Sequence, residues 1–119
     1  MTQNEKELLL KDLCCRLPYG VKVQTTYINP QTKERKDIGT DVLSTVEISM
    51  LIDGYEEHKP YLFPLSSMTE EQEKEWRYTL SSDGNITYDT VDWCNENHLD
   101  YRGLIEKGLA IDATNLNIY

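Results

Sequence analysis

Within its first 28 residues the chain changes hydrophobic period across a hard stop. Leu10, Leu13, Cys14 and Leu17 fall at i, i+3, i+4 and i+7, one face of a helix, with Leu9 at its border. Pro18 and Gly20 end that helix. From Val21 the alternation is strict: Val21, Val23, Thr25 and Tyr27 share one side, and Lys22, Gln24 and Thr26 share the other. Helix and strand placed back to back in so short a space confine the chain to mixed folds. Its 119 residues suit one domain, 1–119, and no repeat, low-complexity tract or linker divides it.

The first helix is expected over residues 4–17, with Asn4 and Glu7 at capping-box spacing. The first strand, Val21–Ile28, leads into Asn29-Pro30-Gln31-Thr32, a type I turn, and a return strand over about Lys33–Ile38. The segment Val42–Asp53 reads as the strongest strand. Val42, Val46, Ile48, Met50 and Ile52 hold one parity, with Ser44 the only polar interruption. Asp53-Gly54 then reads as a hairpin turn. A returning strand from Tyr55 to about Leu65 carries Pro60 and Pro64, which points to an edge strand or an irregular one.

Thr69 and Gln72 form a capping box for a second helix, Thr69–Leu80, with Trp76 and Leu80 on one line. Thr87 caps a third, Thr87–His98, in which Tyr88, Val91, Asn95 and His98 form one line beside Cys94. The remainder is expected to hold a short helical turn around Leu104–Lys107 and an irregular or extended end. This order predicts an α+β fold: a small antiparallel sheet of three to four strands, an N-terminal helix and two C-terminal helices.

Charge is divided unevenly. Residues 1–68 carry 8 basic and 10 acidic side chains, and residues 69–119 carry 4 and 11. Direct nucleic-acid binding needs clustered Lys and Arg, and the C-terminal half has the wrong sign. The one basic cluster, Lys33, Arg35 and Lys36, follows a turn and reads as a solvated hairpin end. No apolar run approaches the ~18–20 residues of a membrane span, and no signal-peptide pattern is present, so a cytoplasmic location is expected. Three cysteines, two of them adjacent at Cys14 and Cys15, do not make a disulfide framework.

Chemistry-bearing patterns are sparse. Cys94 and His98 stand at i, i+4, the spacing of a helical metal pair, but no CxxC, HxxxH or HExxH supplies further ligands. Cys94 as a nucleophile would sit between Asp92 and Glu96, whose charges raise a thiol pKa. No cofactor and no catalytic residue is assigned, and a binding role is favoured over an enzymatic one. Tyrosine stands out, with 8 against a single Phe, and it suits contact surfaces. Trp93, His98, Tyr101 and Arg102 lie close together in sequence and form the candidate binding surface.

Three segments, LKDLCCRLPYGVKV (10–23), KPYLFPLSSMT (59–69) and DYRGLIEKGLA (100–110), resemble short proteins of the Bacteroides group of gut anaerobes, often carried on prophages or other mobile elements. The chain departs from them at Phe63, where the similar sequences often carry Arg. The resemblance implies a mobile-element accessory protein and assigns no activity, cofactor or residue. The expected function is therefore binding to a protein partner. Two alternatives remain: an acidic DNA mimic that occupies a basic groove, and a small metalloprotein or enzyme built on Cys94 and His98. Oligomeric state is left open.

Overall fold

A computed structural model describes all 119 residues. Helix α1 (Gln3–Arg16) opens on a capping box between Thr2 and Glu5, two residues ahead of the expected Asn4 and Glu7. A single 3-10 turn, Leu17–Tyr19, leads to Gly20 in the left-handed region. Strands β1 (Lys22–Ile28) and β2 (Arg35–Val42) pair antiparallel across the Asn-Pro turn. There the Asn29 side chain accepts from the backbone amides of Gln31 and Thr32.

The segment expected as the strongest strand is instead extended only to Val42 and then forms helix α2 (Thr45–Ile52). Ser44 caps it: its hydroxyl accepts from the Val46 amide and donates to the Glu47 carboxylate. The other end is a Schellman motif, with Tyr55 N–H donating to Met50 C=O at 3.0 Å and Gly54 N–H to Leu51 C=O at 3.2 Å. Gly54, at φ 81°, therefore closes a helix and does not turn a hairpin. Strand β3 (Glu56–Pro64) and a 3-10 turn, Leu65–Ser67, precede helices α3 (Glu70–Thr79) and α4 (Tyr88–Glu96). Two short strands, β4 (Leu99–Asp100) and β5 (Ile111–Asp112), complete the chain.

The fold is α+β, but the sheet has five strands and is mixed. Its order is β2-β1-β3-β4, with β5 also on β3. β1 pairs antiparallel with both β2 and β3, and β3 pairs parallel with β4 and β5. β3 is therefore central, contrary to its expected place at an edge. The ladder explains how Pro60 survives there. Ile28 N–H donates to Tyr55 C=O, so by alternation Pro60, opposite Val23, turns its nitrogen away from β1. On that other side β5 pairing begins only at Tyr61, so no partner waits for the missing donor.

The core joins Leu9 and Leu13 of α1, Val21 and Val23, Leu43, Leu51, Leu62 and the tail residues Leu104, Leu109 and Ala110. The buried line of α1 is Leu9, Asp12, Leu13 and Arg16, while Cys14 is exposed. The buried face keeps the expected helical period but lies one position earlier than Leu10, Leu13, Cys14 and Leu17, because Asp12 and Arg16 occupy core positions. β2 lies at the free edge and is exposed along its whole length. A bulge at Ile38 breaks its register, and the carboxylates of Asp37 and Asp41 accept from the Gly39 and Val42 amides of the same strand. The molecule measures 53 × 27 × 24 Å, elongated along one axis.

Candidate binding surface

The four sequence-nominated residues divide between three places. Tyr101 and Arg102 meet on a buried ionic cluster that the sequence did not nominate. Asp12 and Arg16, one turn apart on α1, pair at 2.7 Å with both side chains fully buried. Arg16 Nη2 also donates to Leu99 C=O at 2.7 Å, tying α1 to β4. Arg102 Nε donates to the other Asp12 oxygen at 3.2 Å. Both guanidiniums lie near the Tyr101 ring, Arg16 at 5.2 Å and Arg102 at 5.0 Å from its centre. Its hydroxyl donates to Asn95 Oδ1 at 2.9 Å, and burial pushes its pKa up. Arg102 is thus largely turned inward, and its work here is to hold Asp12.

His98 lies elsewhere. α4 ends at Glu96, and His98 takes a left-handed backbone, φ 57°, that turns the chain into β4. Its ring stacks on Tyr119 at 3.9 Å and an interplanar angle of 12°. The Tyr119 hydroxyl donates to Tyr61 C=O and accepts from Lys22 N–H, both at 2.8 Å. Burial, with Arg16 and Lys22 adding to it, lowers the His98 pKa to about 4. The same cause raises Tyr119 to about 12. Cys94 and His98 are therefore not on one helical face. Burial raises the Cys94 thiol, which removes the basis for a nucleophile. No group of three His, Cys, Asp or Glu side chains is placed to hold a metal ion.

A folded state that keeps His98 neutral loses stability to acid. The unfolded chain binds a proton near pH 6.5 and the folded one only near pH 4, so stability is full above 6.5 and falls through that window. The expected loss between pH 7.5 and 4 is about 2–3 kcal/mol from this residue. His58, fully buried against Thr25 with its pKa also lowered by burial, adds in the same direction. Urea midpoints across this range measure the loss. His98→Asn, which tolerates the left-handed backbone, should flatten the curve, and an unchanged slope would remove His98 as its source.

Trp93 occupies the third place, the acidic helical hairpin. It sits on α4, and its indole N–H donates to Glu75 of α3 at 3.2 Å. Four hydroxyl contacts lock the turn between these helices. Thr87 and Thr90 hydroxyls both donate to Thr79 C=O, at 2.7 and 3.0 Å. The Thr79 hydroxyl donates to Trp76 C=O at 2.6 Å and lies 3.0 Å from Thr90 Oγ1. The hairpin thus holds its shape with an apolar hollow of about 60 Å³ between its helices, lined by Leu65, Trp76, Ile86, Val91, Cys94 and Tyr101. Tyr78 and Tyr88, on the same hairpin, are each 90% exposed. Between residues 70 and 96 eight acids stand against two bases.

Sequence reasoning missed Asp12, Arg16 and Tyr119. Asp12 and Arg16 left one trace: they share a helical line with Leu9 and Leu13. The basic cluster at the hairpin end, Lys33, Arg35 and Lys36, is exposed, and its Arg35 pairs with Glu57 of β3. No helix is long and apolar enough to cross a membrane. Protein-family models, curated proteins and solved structures yield no match to the chain.

Proposed function

We propose that the chain works by binding a protein partner through its acidic α3–α4 hairpin, in the setting of a phage or other mobile element. The observation that carries this reading is the conjunction on one rigid hairpin of strong negative charge and freely exposed tyrosines. Exposed aromatics with fixed backbones make contact area at low entropic cost. Of the nominated residues, Trp93 stands on the hairpin and Tyr101 lines its hollow, whereas Arg102 faces Asp12 and His98 stacks on Tyr119. The mobile-element setting rests on the resemblance of residues 10–23, 59–69 and 100–110.

The same acidity favours a second reading, in which the hairpin imitates a phosphate row and occupies a nucleic-acid-binding groove. One experiment treats both. The tagged chain captures partners from nuclease-treated lysate, alongside a variant with Asp92→Lys and Glu96→Lys. Both positions are exposed on α4, away from its first turn. The expected result is a stoichiometric protein held by the parent and lost by the variant. Equal retention by both would overturn the hairpin reading. Displacement of the captured protein by duplex DNA would select mimicry over an ordinary docking surface.

A further inference from the structure

We infer that the hollow between α3 and α4 receives one aliphatic anchor side chain from a basic amphipathic helix. The inference rests on the reading of the hairpin as a binding surface and names what binds there. Size decides between ligand classes. A small-molecule pocket runs to about 300–1,000 Å³, while this hollow holds about 60 Å³, the tip of a single side chain. Its lining decides the tip's chemistry, since six of the seven residues around it are apolar and the seventh is Thr90.

Charge decides what surrounds the tip. The hairpin has eight acids against two bases, so an approaching surface gains by carrying Lys and Arg. A second copy of this acidic chain, at −9 overall, meets like charge, and so do a phosphate backbone and an anionic membrane. Shape decides the secondary structure. Two packed helices offer a furrow along their junction, the arrangement in which an amphipathic helix docks with anchors spaced along one face. Preorganisation completes the case. The threonine lock on Thr79 C=O holds the hollow open without a partner, so little ordering is lost on binding.

Both tryptophans of the chain lie in this hairpin, Trp76 in the hollow and Trp93 outside it. Trp93→Phe, with its peptide affinity first compared with that of the parent chain by calorimetry, therefore leaves a single fluorescent reporter at the proposed anchor site. The probes are two synthetic helical peptides of equal positive charge, one with a leucine stripe flanked by lysines and one with serine in place of each leucine. The leucine peptide should shift Trp76 emission to the blue and bind at least about tenfold more tightly, the gain expected from desolvating an aliphatic side chain. Ile86, 66% exposed at the rim, can be changed to serine without opening the core. Ile86→Ser should weaken the leucine peptide severalfold and leave the serine peptide unaffected. Equal binding of both peptides, abolished alike by salt, would overturn the anchor and leave the acidic-surface reading standing. No binding of either peptide would overturn the anchor as well, while loss of the captured partner's charge dependence is what would overturn that reading.

Discussion

Arg16→Met should destabilise the protein by about 3–5 kcal/mol, read as a fall in the urea midpoint at pH 7. The side chain is fully buried, and its removal strands two groups at once. Asp12 keeps only the 3.2 Å contact with Arg102, and Leu99 C=O loses its charged donor. A buried charge without its partner costs much more than the pair contributes when intact. The double change Asp12→Leu with Arg16→Met should therefore recover most of the loss, because Arg102 is partly exposed and can turn to water. Arg16→Lys should not recover it, since one ammonium cannot reproduce the guanidinium's fixed fork to a carboxylate and a carbonyl. A loss below about 1 kcal/mol in the single variant would show that Asp12 is satisfied without Arg16.

Leu51→Ala should cost about 2–5 kcal/mol, and its neighbour Ile52→Ala less than about 0.5. Leu51 is 2% exposed and Ile52 is 54% exposed, because α2 turns them to different faces. An extended segment with the parity of Val42, Val46, Ile48, Met50 and Ile52 demands the reverse ranking. Thermal or urea unfolding of the two variants thus tests the helix directly. Equal costs would mean that neither face of this segment is the buried one.

That pair of residues also shows where sequence reading succeeds and where it stops. The residues 42–53 satisfy period 2 and period 3.6 together, since Ile48 and Leu51 are also i and i+3. The deciding marks are local chemistry: Ser44 and Glu47 at capping-box spacing, and Gly54 after the last turn. They were legible, and the strength of the alternation outweighed them. By contrast, α1, β1, α3 and α4 are announced by caps and periods that admit one reading, and they form where expected to within two or three residues.

The central place of β3 was hidden for a different reason. Its parallel partners β4 and β5 are two residues each, too short to carry a period, and they arrive more than thirty residues later in the chain. The candidate site was legible in the same uneven way. Tyr101 and Arg102 do converge, because they are adjacent. Their partners come from α1, 83 residues before Leu99 and 90 before Arg102 in the respective contacts. No local pattern reports a contact of that separation. Trp93 is half-buried beside Glu75 of α3, and the hollow near it needs Leu65 from the 3-10 turn and Trp76 from α3.

The exposed strand β2 carries a consequence for crowding. A bare sheet edge offers a growing surface to every copy that collides with it, and the hazard rises with copy number. Here the bulge at Ile38 disturbs that surface, and Asp41 occupies its outward-facing Val42 amide from within. Both features make the edge a poorer template for pairing between copies.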